Sequence, residues 1–146
     1  MNILSNFAER LDELMFDKGW DMKTLAKKIG VSRPSVNRFL LAKQFPSVET
    51  AIKLAEVFQC SVEYLLGRTD NGNERKLKER PPFTKQLKFL LEHFKKTKYA
   101  LYTYGKVRQF AVQQWAKGIY EPNLDSVIKM ADYFECTVDF VLGIEN

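Results

Sequence analysis

Shifting the chain by 76 residues lays it on itself. The segment PSVETAIKLAEVFQCSVEYLLG (46–67) falls on PNLDSVIKMADYFECTVDFVLG (122–143) without a gap, and nine of the 22 positions are identical. Most of the rest are like-for-like, such as Glu49/Asp125, Thr50/Ser126, Leu54/Met130 and Tyr64/Phe140. The same shift pairs Phe7/Phe83, Leu11/Leu87, Leu14/Leu90, Leu25/Leu101, Val31/Val107, Val36/Val112 and Phe39/Trp115. A periodic self-match of this length implies two copies of one small fold. Between the copies, DNGNERKLKERPP (70–82) reads as a linker: Asn71-Gly72 is a turn signal, Pro81-Pro82 blocks a helix, and only Leu77 is apolar. Its KLK stretch leaves open a short exposed helix.

Within each copy the apolar residues recur at helical spacing, as in Phe7, Leu11, Leu14, Met15 and in Phe83, Leu87, Leu90, Leu91. In the first copy Gly19 ends one helix and Gly30 a second that carries Leu25, Ala26 and Ile29. Ser32 is placed to cap a third, with Pro34 in its first turn, burying Val36, Phe39 and Leu40. Ser47 caps a fourth, which buries Val48, Ala51, Leu54, Ala55 and Phe58. Ser61 caps a last helix from Val62 to Leu66, stopped by Gly67. No stretch alternates as a strand would. The expectation is an all-α chain of two five-helix domains, 1–69 and 83–146.

Composition excludes most chemistry. One histidine and two cysteines 76 residues apart supply neither a zinc site nor a credible triad. Cys60 and Cys136 sit in apolar helical contexts and read as buried core residues, and His93 as a solvated surface residue. No catalytic residue, metal or cofactor is expected. No apolar run reaches membrane length, and MNILSNFAERLDELM lacks the form of a signal peptide, so a cytoplasmic protein is expected.

The net charge of +5 is modest, but its placement is not. Residues 22–48 contain no acid and hold Lys23, Lys27, Lys28, Arg33, Arg38 and Lys43. Residues 93–120 again contain none and hold Lys95, Lys96, Lys98, Lys106, Arg108 and Lys117. Solvated helix faces normally mix both signs. A one-signed window at the same place in both copies points to a polyanion, and duplex DNA is the obvious one.

MKTLAKKIGVSRPSVNRFLLAKQFPSVETAIKLAEVF resembles the Xre/Cro-like family of phage-repressor helix-turn-helix domains. The resemblance rests on Leu25-Ala26, Gly30-Val31-Ser32, Val36, Phe39 in the usual Trp position, Pro46 and the LAEVFQCSVEYLL ending, and it covers residues 7–67. It implies a λ-repressor-like fold whose third helix enters the major groove. Ser32, Arg33, Ser35, Asn37 and Arg38 would then face base edges, with Arg33 and Arg38 suited to guanine. Lys23, Lys27 and Lys43 would hold phosphates.

The second copy keeps Trp115, Lys117-Gly118 and Pro122 but departs at the turn. Lys106 stands at the turn glycine, Gly105 lies one residue early, and Tyr99, Tyr102 and Tyr104 replace Lys23, Ala26 and Lys28. Tyr102 at the helix crossing is expected to force the helices apart and to displace or rebuild the turn. The matching reading positions are Arg108, Gln109, Gln113 and Gln114, with Lys117 beyond them. Gln109 and Gln114 fall in the slots of Arg33 and Arg38.

The aromatics Tyr99, Tyr102, Tyr104, Phe110 and Tyr120 form a candidate interface for self-association or a protein partner. The leading expectation is a DNA-binding transcriptional regulator, a bacterial or phage repressor acting by operator occupancy. It would work as a homodimer or as an intrachain pseudo-dimer, with no separate sensor domain. The alternative is a protein-interaction module, of the antitoxin or antirepressor-partner type, that keeps the same fold.

Overall fold

The computed structural model describes residues 2–145, which form ten α-helices and no strand. The chain divides into two compact units, the first ending at Lys76 and the second beginning at Leu77. The first holds α1 (Ile3–Lys18), α2 (Met22–Ile29), α3 (Arg33–Leu40), α4 (Val48–Phe58) and α5 (Val62–Leu65). The second holds α6 (Phe83–His93), α7 (Lys98–Tyr104), α8 (Gln109–Lys117), α9 (Leu124–Phe134) and α10 (Val138–Leu142). None of these helices is long and apolar enough to cross a membrane.

Most of these helices are too short to persist alone in water, so burial of one face must hold them. In the first unit Phe7 and Leu11 of α1, Leu25 of α2, Val36 of α3 and Leu54 of α4 are wholly buried. Each such side chain contributes roughly 1.5–3 kcal/mol relative to exposure. Phe7 meets the edge of Phe39 at 6.1 Å between ring centres. In the second unit Phe83 meets Trp115 the same way at 5.9 Å. Starts are capped as the sequence requires: Ser32, Ser47 and Ser61 accept from Ser35, Thr50 and Tyr64 backbone N–H groups.

Small departures from expectation have local causes. Leu40 lies on the margin of the α3 stripe and is half-buried, and Leu66 is the C-terminal cap of α5 rather than its last helical residue. Cys60 is buried, but Cys136 is half-buried. No helix forms in 70–82, where the Arg75 N–H donates to the Gln59 carbonyl and the Lys78 N–H to the Ile144 carbonyl. Each end of that segment is thus tied to its own unit, using backbone groups that a helix would need.

One contact outside the apolar core recurs. Arg10 of α1 donates to the Tyr64 carbonyl at 2.6 Å, lies 3.7 Å over the Tyr64 ring and reaches Asp70 at 3.2 Å. In the second unit Gln86, itself buried, donates to the Phe140 carbonyl at 2.9 Å. Both contacts fasten the last helix of the unit to the first.

Candidate nucleic-acid interface

The turn between α2 and α3 sets the direction in which α3 leaves the core. Asp21 starts α2, accepting from the Thr24 N–H at 2.8 Å. That bond, helped by the nearby Arg33 and Lys23 charges, holds the Asp21 carboxyl below its ordinary value. Gly30 ends α2 in the left-handed region (φ 70°), which a residue with a Cβ adopts only at a cost. Its N–H, like that of Val31, bonds back to the Ala26 carbonyl. Ala26 is buried, and its small side chain suits a tight crossing.

Val36 and Phe39 anchor α3 in the core. Arg33, Pro34, Asn37 and Arg38 are therefore left exposed on its outer face, with Ser35 half-buried beside them. Ser32 Oγ lies 2.9 Å from Ser35 Oγ, and Arg38 Nη2 donates to Ser35 Oγ at 3.1 Å. This chain of bonds runs from the start of α3 to the Arg38 guanidinium. Ser32 and Ser35 are thus occupied in capping and in positioning Arg38.

Lys23 and Lys27 of α2, and Lys43 just after α3, are exposed. Among the described residues none of Lys23, Lys27, Arg33, Arg38 and Lys43 has an ion-pair partner. Lys28 instead lies 4.6 Å over the Trp20 ring. The ion pairs that do form, such as Arg10–Asp70, Arg68–Glu63 and Arg80–Glu121, lie elsewhere. Sequence reasoning gives Lys53 no role, yet its Nζ from α4 stands 3.9 Å from where a Cβ on Gly30 would lie. A signal is present, since Lys53 and Lys129 are identical across the 76-residue shift.

Of the two outcomes expected of the second turn, displacement and rebuilding, the structure shows a local rebuilding. The turn is not displaced: Lys106, 76 residues after Gly30, is left-handed at φ 61°. Tyr102 is accommodated half-buried, its ring edge-on to Tyr99 at 5.5 Å. What changes is the end of α7, which stops at Tyr104, one residue earlier than α2 by that shift. Gly105 donates to the Leu101 carbonyl at 2.7 Å, and a Cβ there would lie 2.4 Å from that oxygen.

Val112 and Trp115 anchor α8, leaving Gln109, Phe110, Gln113 and Lys117 exposed and Gln114 half-buried. Arg108 occupies the capping position without a side-chain cap bond. Tyr99, Tyr104, Phe110 and Tyr120 stand out at 63, 69, 64 and 45% exposure. Phe94 stacks on Phe134 at 4.8 Å and edges against His93, so those rings serve packing even though His93 remains exposed.

Among the described residues no three His, Cys, Asp or Glu side chains gather as a metal site would need. A tight turn and an anchored third helix make this a helix-turn-helix, and its outer face carries exposed cations without ion-pair partners among the described residues.

The comparisons agree for the first unit. Residues 13–65 match the helix-turn-helix family model, that of a DNA-binding domain. Residues of the second unit lie outside that match. The chain is similar to the HTH-type transcriptional regulator YobD of Bacillus subtilis (strain 168), itself described as uncharacterised. The two are 34% identical over 69 residues, which is 47% of this chain and 62% of YobD. The chain thus spans a little under two thirds of that relative's length. No solved structure matches.

Proposed function

We propose that this chain is a sequence-specific DNA-binding transcriptional regulator of bacterial or phage type, repressing by operator occupancy. In this reading α3 lies in the major groove. Arg33 and Arg38 read guanine through O6 and N7, Ser32, Ser35 and Asn37 contribute at the same face, and Lys23, Lys27 and Lys43 hold phosphates. The observation that carries it is the set of ion-pair-free cations on the outer face of a helix-turn-helix that the family model matches.

The domain reading is part of the proposal: 1–69 reads DNA, 70–82 links, and 83–146 is a diverged copy. Five left-handed positions support it, since Gly19, Gly30, Ala42, Gln59 and Gly67 are each followed 76 residues later by Lys95, Lys106, Gly118, Glu135 and Gly143. Three of those five positions in the second unit, and two in the first, carry residues other than glycine. Composition alone therefore does not explain the coincidence.

Selection from random duplexes with the whole chain tests the proposal. A defined motif is expected, and its affinity should fall steeply between 50 and 200 mM salt, by orders of magnitude for several phosphate contacts. Failure to enrich any duplex, even at low salt, would defeat it.

A further inference from the structure

We infer that the second unit is a DNA reader in its own right, with α8 adapted to an A·T-rich half-site, so that the chain recognises an operator of two unlike halves. The inference rests on the DNA-binding reading of the first unit and names what the second unit adds to it.

The exposed rings of this unit invite a different occupant, a second copy of the chain, but charge decides against it. Residues 93–120 carry six cations and no acid. Glu92, just before that window, is exposed, and the two acids that follow the window are already engaged. Glu121 bonds Arg80 at 2.7 Å and the Phe83 N–H at 3.2 Å, and Asp125 bonds Lys129 at 3.0 Å. A two-fold contact through this face would set one uncompensated cationic surface against its own copy. A polyanion meets it without that penalty.

The side chains on the outer face of α8 then say which bases. At the positions of Arg33 and Arg38 stand Gln109 and Gln114. Arginine pairs with guanine O6 and N7, whereas glutamine pairs with adenine N6 and N7. Phe110 takes the place of Pro34 in the first helical turn and is 64% exposed. An apolar side chain at a base edge in the major groove finds one apolar partner, the thymine methyl. Gln109 and Phe110 together therefore select adenine and thymine.

The phosphate contacts change in kind as well. Tyr99 and Thr103 stand where the first unit has Lys23 and Lys27, and their hydroxyls bond phosphate oxygens as neutral donors, while Ile119 at the place of Lys43 makes no such contact. Arg108 replaces the capping Ser32 and has no side-chain cap bond, so it offers a cation at the rim of the reading face. Beside it an open groove of about 620 Å³ runs between the starts of α8 and α9, with Lys106 and Arg108 on its α8 side and Glu121 and the Asp125–Lys129 pair on its α9 side. Groove and reading face adjoin through Phe110, and the cations of its α8 side are the ones a phosphate beside the reading face would meet.

The test is duplex selection with the full chain, repeated with the double variant Gln109→Ala/Phe110→Ala and with Arg33→Ala/Arg38→Ala. Both pairs are exposed, so circular dichroism and the unfolding midpoint should match the parent. The parent is expected to enrich a two-block motif, one block containing guanine and the other A·T-rich. The α8 variant should lose the A·T preference, with affinity down about tenfold, and keep the guanine block. The α3 variant should do the reverse.

A single guanine-bearing block left untouched by the α8 variant overturns the inference while sparing the proposed function. So does a symmetric motif bound by two chains, combined with dissociation of a free dimer by Phe110→Ala; that pattern assigns the face to a second copy. A face that leaves DNA binding alone but captures an acidic protein overturns it equally. No motif from any form defeats the proposed function itself.

Discussion

Replacing Arg38 with alanine separates base reading from simple charge attraction. The guanidinium is exposed and already donates to Ser35 Oγ at 3.1 Å, so binding guanine exchanges some existing hydrogen bonding for new. A bidentate arginine–guanine pair is worth about 1–3 kcal/mol of discrimination. The prior bond and full hydration place Arg38 in the lower half of that range, near ~1.5 kcal/mol, or roughly tenfold in affinity. Fold stability should move little, because Arg38 lies opposite the buried Val36 and Phe39 and surface changes of this kind usually stay within about 0.5 kcal/mol. Fluorescence anisotropy over 50–200 mM salt, on the selected duplex and on single-base variants, reads the outcome. The loss should concentrate on one guanine position, with the salt slope little altered. An equal loss on every duplex, with the slope flattened by about one, would make Arg38 a phosphate contact and refute its assignment as a reader.

The other expectations concern charge and backbone. Lys43→Ala should weaken binding to all sequences alike and reduce the salt slope by about 0.9; a loss confined to one base pair, seen in the same titrations, would contradict that role. Lys106→Gly should stabilise the second unit by roughly 1 kcal/mol, because a left-handed lysine carries a steric cost that glycine avoids. Urea unfolding that shows no gain would mean that this cost is relieved in the native turn. The Asp21 carboxyl is held below its ordinary value, so its contribution is fully present above the unfolded value, about 3.9, and is lost as pH falls through the folded one. The stability gap between the parent and Asp21→Asn should therefore hold constant near neutrality and close in acid; a gap independent of pH would rule out the charge as its source.

Much of the fold and of the first reading face is legible in the sequence because the determining physics is local. Gly30 followed by Ser32 marks a helix stop and a cap two residues apart, and the periodic apolar residues mark the buried faces. The cationic windows need only a count of signs along the chain. The rest depends on which distant groups meet. Arg10 and Gln86 carry no sequence signal for the Tyr64 and Phe140 carbonyls they bond, 54 residues away in each case. The second turn escapes sequence reasoning because a tyrosine at the crossing is expected to dominate. Instead Tyr102 is taken up half-buried against Tyr99, while Gly105 permits the tight end of α7. Lys53 escapes it because α4 is remote in sequence from the turn its ammonium approaches.

The two units hold their cores to one plan and release their outer faces from it. The edge-on pair Phe7–Phe39 becomes Phe83–Trp115, and the bond from the first helix to the last passes from arginine to glutamine. Even the left-handed positions trade residues: Gly30 and Ala42 in one unit answer to Lys106 and Gly118 in the other. Because Val36 and Phe39, or Val112 and Trp115, suffice to seat the third helix, its outward residues carry little of the stability and are free to differ. A regulator that binds as two identical chains presents the same outward residues twice and must read a symmetric operator. Joining the copies in one chain removes that restriction. If α3 and α8 both read DNA as proposed, arginines on α3 and glutamines with a phenylalanine on α8 are the substitutions that an asymmetric operator calls for.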